Sequence, residues 1–374
     1  MIGGVILRSD ELRNAKKNKN DEFYTQLSDI EKEMRHYKDF FEDKVVYCNC
    51  DDPFESNFFK YFATHFNTLK LKKLISVSYA HSPIAGEEVN LFENQGKEYK
   101  ITGKRAYKVT ISELQDVNND GREDLEDVQE IIKHRIRYLK GDGDFRSEES
   151  IELLKEADIV CTNPPFSLFR DFVAQLMEYD KKFIIIGNVN SIAFKEFFPL
   201  IKDNKVWMGA SIHSGDREFR VPETYPLNAA GTRVDEEGRK YIRVKGVRWF
   251  TNLDYVERHE DIDLYKKYTA EEYPQYVNYD AIEVSKTADI PYDYYGKMGV
   301  PITFLDKFNP EQFDIIGFSL SLANKMSEVP DVADGTYSKG GPAFYLKQVN
   351  GKYDYKRLYF RVVIRRKKDV SDED

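Results

Sequence analysis

Asn163-Pro164-Pro165-Phe166 follows directly on the apolar run Ile159-Val160-Cys161-Thr162 and precedes apolar residues at helical spacing. These residue types suit transfer of a methyl group to an exocyclic amine. Such an amine, on adenine or cytosine, is a poor nucleophile because its lone pair is delocalised into the ring. Two acceptors, the Asn163 side-chain oxygen and the Pro164 carbonyl, can take both amine hydrogens and draw the nitrogen toward a tetrahedral, attacking geometry. The prolines fix φ and bring no competing N–H, and the ring of Phe166 offers a face to a base extruded from a duplex. The same tetrapeptide also reads as a Pro-Pro turn closing a buried strand, with Asn as a turn residue.

The elements around the turn read as alternating strands and helices. Ser28-Asp29-Ile30-Glu31 has capping-box spacing and Ile30, Met34, Tyr37 and Phe41 continue at helical intervals, which predicts a helix beginning near Ser28. Val45 to Cys50 reads as a buried strand, Asp51-Asp52-Pro53 as the turn at its carboxyl end, and Phe58, Phe59, Phe62, Ala63 and Phe66 as the apolar face of the next helix. Further strands are expected at Leu74 to Tyr79, Tyr107 to Leu114, Ile136 to Leu139, Asp158 to Thr162 and Phe183 to Gly187, with Lys205 to Gly209 and Val247 to Leu253 as a closing antiparallel pair. Helices are expected on Leu168, Phe169, Phe172, Val173 and Leu176, and on Ile192, Phe194, Phe197, Phe198 and Ile201. This alternation predicts an α/β fold with a doubly wound parallel sheet, whose ligands bind at the carboxyl ends of the strands. Asp51-Asp52-Pro53 and the Asn-Pro-Pro-Phe turn both lie at such ends.

The 374 residues suffice for a large domain or two moderate ones, and 41% hydrophobic and 14% aromatic residues exclude a disordered chain. No apolar run is long enough to span a membrane and no signal-peptide cleavage pattern follows the N-terminus, so a cytoplasmic location is expected. Cys48, Cys50 and Cys161 are odd in number and form no CxxC pair, which predicts reduced core thiols. The net charge of −9 is unevenly spread, with basic clusters at Lys16-Lys17-Asn18-Lys19, from Arg239 to Arg248, and at Arg365-Arg366-Lys367-Lys368. Each reads as a set of phosphate contacts or as a solvated face.

One acidic stretch has a different spacing. Asp116, Asn118, Asp120, Asp124 and Asp127 place oxygens at positions one, three, five, nine and twelve of a calcium loop. Gly121 falls at six, and the Arg122 carbonyl falls at seven. Asp127 stands where the bidentate Glu belongs, and no helix precedes the loop. The stretch therefore reads as a structural calcium site or as an acidic surface hairpin leading into a helix.

Taken in order, Asp21 to Gln26 (DEFYTQ), Val45 to Pro53 (VVYCNCDDP), Gly141 to Ser147 (GDGDFRS), Asp158 to Ser167 (DIVCTNPPFS), Phe183 to Ile192 (FIIIGNVNSI), Trp249 to Asp254 (WFTNLD) and Gly299 to Phe313 (GVPITFLDKFNPEQF) make the chain resemble EcoRI-type adenine-specific DNA methyltransferases. The resemblance covers nearly the whole chain. It implies a Rossmann-like methyltransferase sheet, S-adenosylmethionine as methyl donor, and N6-methyladenine in double-stranded DNA as product. Residues 15–258 are then expected to form the catalytic domain, with the acidic insert at about 96–140, and residues 259–374 the target-recognition and DNA-binding region.

By the same resemblance, Phe23, Tyr24 and Thr25 look like the motif at the methionine end of the cofactor. Asp51, Asp52 and Pro53 look like the first strand's cofactor loop, Asp144 and Phe145 like the motif beside the cofactor's adenine ring, and Asn163, Pro164, Pro165 and Phe166 like the catalytic tetrad, with Asn163 also on the cofactor side. A restriction-modification context is implied, with a monomer acting apart from any cognate endonuclease. The sequence departs from the usual methyltransferase pattern in two places. The turn after the first strand, CNCDDPFESN, has no glycine, and the second strand, ending Val77-Ser78-Tyr79, lacks the acidic residue that commonly binds ribose hydroxyls. Asp51 or Asp52 is the candidate to take that role, against a plain reading as solvated turn residues. The alternatives are methylation of cytosine N4 or of RNA, and a non-catalytic, sequence-specific DNA-binding protein with a degenerate cofactor pocket.

Overall fold

Short apolar runs without alternation become the central strands, buried on both faces as parallel strands must be. The computed structural model describes residues 24–80, 105–116, 125–221, 231–324, 333–334, 342–348 and 354–368. In chain order the first strands are β1 (Val45–Cys48), β2 (Lys73–Val77), β3 (Tyr107–Ile111), β4 (Arg137–Tyr138), β5 (Ile159–Thr162) and β6 (Lys182–Asn188). They are followed by β7 (Trp207–Met208), β8 (Asp216–Val221), β9 (Arg233–Val234), β10 (Lys240–Lys245) and β11 (Val247–Thr251). The chain divides into two units, the first reaching Ser191 and resuming at Ser214–Asp254, the second made of Ile192–His213 and everything from Tyr255 on.

In the first unit the main sheet runs β4-β3-β2-β1-β5-β6-β11. Strands β2, β1, β5 and β6 are mutually parallel, as the doubly wound reading expects, while β3, β4 and β11 are antiparallel to their neighbours, so the parallel core is continued by antiparallel strands on both sides. Its flanking helices are α1 (Leu27–Met34), α2 (Asn57–Thr64), α3 (Leu125–Arg135), α4 (Glu148–Glu156) and α5 (Phe169–Glu178). Because β1 is flanked by β2 on one side and β5 on the other, the chain reverses its direction of winding at β1. A crevice at the carboxyl ends of β1 and β5 follows from that reversal. A smaller sheet of order β8-β10-β9 completes the unit.

Two expected helices begin elsewhere. Helix α1 starts at Leu27 with Gln26 as an extended N-cap that makes no side-chain cap bond, so Ser28 lies inside the first turn and the capping box does not form. The cause lies upstream: Tyr24 and Thr25 are held extended by bonds to Arg220 and Asn57, and the change to helical dihedrals falls at Gln26. The pattern from Ile192 to Ile201 is split into a 3-10 turn at Val189–Ala193 and α6 (Phe198–Lys202), because Pro199 can donate no N–H and fits only a first turn. Cys48 and Cys161 are buried, Cys50 half-buried, and all three are free thiols. Among the described residues no helix is long and apolar enough to cross a membrane.

The second unit carries β7, α6, a short helix α7 (Ser319–Leu322) and the strands β12 (Ile282–Glu283), β13 (Met298–Pro301), β14 (Phe313–Phe318), β15 (Ala333–Asp334), β16 (Tyr345–Lys347), β17 (Tyr355–Arg357) and β18 (Arg361–Arg366). These strands form one sheet of order β12-β13-β18-β14 and another of order β15-β17-β16. Glu283 on β12 is buried and takes a forked pair of bonds from the Arg361 guanidinium on β18, at 2.7 to 3.2 Å, together with the Tyr276 hydroxyl. The carboxylate thus pins two strands that are not neighbours in the sheet.

Candidate active site

Strand β1 ends at Cys48 and the chain turns through Asn49, Cys50 and Asp51 into the interior rather than toward water. Asp51 is 5% exposed and Asp52 8%. The Asp51 carboxylate accepts the Ser56 hydroxyl at 2.6 Å on one oxygen and the Thr162 hydroxyl at 2.5 Å on the other, and its backbone carbonyl accepts the Ser76 hydroxyl at 2.5 Å. Ser56 is also the N-cap of α2, accepting from the Phe58 and Phe59 amides, so one serine stops the turn, starts the helix and binds the carboxylate. Asp52 accepts the Tyr107 hydroxyl at 2.6 Å and the Phe54 amide at 3.0 Å.

These environments favour neutral acids. Burial pushes Asp51 up to about 7, offset in part by the Ser56 and Thr162 hydroxyls and helped by the neighbouring Asp52 charge. Burial likewise pushes Asp52 up to about 6 against the bond from Tyr107. The reading of this pair as solvated turn residues is therefore wrong, since both carboxyls face inward.

Thr162 joins this loop to the tetrad. It is the last residue of β5; besides donating to Asp51 it accepts the Cys50 amide at 3.3 Å, and the next residue is Asn163. Pro164 cannot extend the ladder, and the strand stops there. Asn163, Pro165 and Phe166 are half-buried and Pro164 is buried. Phe166 opens a 3-10 turn that runs into α5 at Phe169. The ring of Phe166 meets Phe219 of β8 edge-on, centroids 6.3 Å apart. Beneath it, Phe169 lies so close to β6 that a Cβ on Gly187 would sit 2.4 Å from its ring.

Phe23 lies outside the described residues. The Tyr24 backbone bridges to Arg220 of β8 in both directions, at 3.0 and 3.3 Å, and the Thr25 carbonyl accepts the Asn57 side chain at 2.7 Å at the start of α2. The Arg220 guanidinium lies 3.3 Å from Glu55 in the loop that follows Asp52. The N-terminal segment is thereby held between that loop and β8. Asp144 and Phe145 arrive at the end of β2, where the Asp142 carbonyl accepts the Ala80 amide at 2.8 Å. Gly143 makes this approach possible: its φ is +78°, and a Cβ there would lie 2.2 Å from the Ser78 carbonyl. The Asp144 carboxylate is gripped by Arg146 at 2.7 and 2.9 Å, and Phe145 packs edge-on against Phe172 at 5.1 Å.

Asp51, Asp52, Pro53, Tyr24, Thr25, Asp144, Phe145 and the tetrad thus all lie at or beside the carboxyl ends of β1, β2 and β5. Of the acidic stretch, Asn118, Asp120, Arg122 and Asp124 lie outside the described residues. Asp127 is buried in the first turn of α3. Among the described residues no group of side chains is placed to hold a metal ion. Sequence reasoning missed Thr162, Ser56, Ser76 and Tyr107, which hold the acids, and Phe219, which meets Phe166. Adjacency to the tetrad was a usable signal for Thr162. Nothing local marks Tyr107, 55 positions from its partner Asp52.

The profile of the family described as "Adenine-specific methyltransferase EcoRI" matches residues 11–367. The chain is 49% identical over 316 residues to the type II methyltransferase M.EcoRI of Escherichia coli, an alignment spanning 84% of this chain and 90% of that one. It is 36% identical over 360 residues to the type II methyltransferase M.MpnI of Mycoplasma pneumoniae, spanning 95% and 98%, and 34% identical over 356 residues to M.MgeORF184P of Mycoplasma genitalium, spanning 94% and 97%. No solved structure matches significantly.

Proposed function

The chain belongs to the EcoRI family of adenine-specific methyltransferases, and we propose that its Asn163 to Phe166 turn acts on the N6 amine of an adenine flipped out of duplex DNA. The observation that carries this is the junction at Thr162, which ties the tetrad to the buried acid of the β1 loop. S-adenosylmethionine, the methyl donor of such enzymes, supplies an electrophilic methyl group on a positively charged sulfur.

The residues present fit that donor. The Thr25 hydroxyl and the Asn49 side-chain oxygen are buried with no hydrogen-bond partner among the described residues, and both flank the end of β1. Two carboxyls stand at the same end, raised by burial yet ionisable near neutral pH, and a cationic ligand beside them would favour their charged form. The tight passage at Gly143 brings Asp144 and Phe145 to the neighbouring strand end. Thr25, Asn49, Asp51, Asp52, Asp144 and Phe145 would hold it. This assignment gives the acidic role missing from the second strand to the Asp51-Asp52 pair.

The tetrad handles the amine. Asn163 and the Pro164 carbonyl accept its two hydrogens and hold its lone pair out of conjugation, while Phe166 stacks on the base. As nitrogen gains the methyl group it develops positive charge, which the same acceptors stabilise, and the surplus proton leaves to water. No strong base is needed. The first unit holds this chemistry, and the second engages DNA as the target-recognition region. The chain is read as working in a restriction-modification setting, as a monomer acting apart from any cognate endonuclease.

Asn163→Ala tests the assignment. Incorporation of N6-methyladenine, measured by mass spectrometry of digested DNA, should disappear while the thermal transition stays within a few degrees of the parent protein. Retained activity in a folded variant would refute the role given to Asn163. N4-methylcytosine as the parent's product would refute the choice of base.

A further inference from the structure

The second unit contains a cavity of about 640 Å3 where β18 runs out of its sheet. Its walls carry Lys297, Arg365, Arg366, Lys367 and Lys368 against two carboxylates, Asp280 and Asp314. This concentration of positive charge stands against a chain whose net charge is −9.

The cations are not equivalent. Lys367 is occupied, bonded to the Pro310 carbonyl at 2.7 Å and 3.4 Å from Asp314, and Lys297 lies 4.0 Å from Asp280. Arg366 is oriented by the Tyr292 carbonyl and by the Tyr295 hydroxyl at 3.0 Å, with its guanidinium 5.2 Å from the Tyr295 ring centre. Arg365 and Lys368 are exposed and have no ion-pair partner among the described residues. Arg365 sits opposite Asp314 in the pairing of β18 with β14, yet makes no salt bridge with it there. The excess of cations over carboxylates thus rests largely on two open side chains beside a fixed guanidinium. The wall also bears tyrosine hydroxyls, and Gly296 lets Tyr294 fold back on the chain, since a Cβ there would lie 2.5 Å from that ring.

We propose that this cavity seats the sugar-phosphate backbone of duplex DNA, with Arg365 and Lys368 each neutralising a phosphate and Arg366 setting the register. The proposal rests on the DNA-methylating function above and deepens it. A solvated basic face would be convex and would leave its arginines free, whereas here the cations line a concavity and Arg366 is held in place. Contacts from open cations to phosphate position a duplex but do not read it. The cavity therefore contributes affinity that is independent of sequence.

The test is the full-length double variant Arg365→Gln/Lys368→Gln, with Lys70→Gln/Lys155→Gln as a control that removes the same charge from the first unit. Dissociation constants are measured by fluorescence anisotropy on a cognate and a scrambled duplex over a range of salt concentrations. Two lost phosphate contacts should reduce the slope of log K against log salt by about 1.8, and weaken both duplexes on the order of tens-fold at 0.1 M salt. The control should keep the parent slope and the parent rate of methylation at sub-saturating DNA, and the cavity variant should lose methylation there in step with its weakened binding. An unaltered slope in the cavity variant, with a parent protein that methylates adenine normally, overturns this proposal alone. A loss confined to the cognate duplex overturns it in favour of base reading. If the parent forms no N6-methyladenine, the underlying function falls, and this proposal with it.

Discussion

The buried position of Asp51 makes its replacement a test with a definite sign. Its carboxyl is pushed from the ordinary 3.8 up to about 7, chiefly because burial penalises the charged form. Below pH 3.8 the acid is neutral in both the folded and the unfolded chain, and it affects the pH dependence not at all. Between 3.8 and 7 the unfolded chain has lost the proton and the folded chain keeps it, so stability falls as pH rises, and above 7 the loss is complete. Over that interval of about 3 pH units the loss amounts to about 4 kcal/mol, to be taken as an order of magnitude.

Asp51→Asn removes this term while keeping the shape of the side chain. In the protonated acid one oxygen already carries a proton, and the amide puts an NH2 in its place, so a second hydrogen must be fitted beside Ser56 or Thr162, at a pH-independent cost of about 1–3 kcal/mol. The variant should therefore be the less stable protein below about pH 4 and draw level with the parent near pH 5, where ionisation of the unfolded chain has already cost the parent about 1.6 kcal/mol. It should gain on the parent by about 3 kcal/mol between pH 5 and pH 8. Asp52 is present in both proteins and largely cancels in the comparison. Urea denaturation followed by tryptophan fluorescence at several pH values measures the difference directly. A difference that is flat across this range would refute the claim that Asp51 is forced to stay protonated by its surroundings. Because the acid is also assigned to the donor, the variant should bind S-adenosylmethionine more weakly at pH 8.

Two other substitutions probe the supports of the tetrad. Gly187→Ala puts a methyl group against the Phe169 ring at the start of α5, and should cost about 1–3 kcal/mol and disturb methylation, whereas Gly187→Ala with full stability and activity would show that the ring simply moves aside. Phe219→Leu removes the edge contact to Phe166 and should slow methylation on the order of 10-fold, with donor binding by calorimetry unchanged. It should also diminish the fluorescence increase of a 2-aminopurine placed at the target base; unchanged rate and fluorescence would mean that Phe219 only fills space.

Much of the first unit was legible because its signals are local. The apolar runs of β1, β5 and β6 are too short for helices and too continuous for exposed strands, and the tetrad carries its chemistry within four consecutive residues. The direction of β3 was not legible, since the Tyr107 to Ile111 run pairs equally well either way, and its antiparallel course is fixed by which strand it meets. The capping box at Ser28 misled for a related reason. The side-chain pattern was present, but the entry of the chain into α1 is fixed at Tyr24 by a strand nearly two hundred positions away.

The loop after β1 shows how the missing glycines are replaced. A glycine-rich turn lets backbone approach a ligand closely and leaves amides free to bind it. Here the turn closes on Asp51 instead, and hydroxyls from three elements hold that residue: Ser56 opening α2 and Thr162 on β5 bind its carboxyl, and Ser76 on β2 binds its backbone carbonyl. Each hydroxyl is small enough to sit against the crowded end of a parallel strand, and each belongs to an element that faces the crevice. Since Thr162 precedes Asn163, any shift of the acid is transmitted to the Asn-Pro-Pro-Phe turn through one hydrogen bond. The absence of glycine therefore does not mark a degenerate pocket. It exchanges a loop that adapts to its ligand for one whose position is coupled to the Asn163 to Phe166 turn.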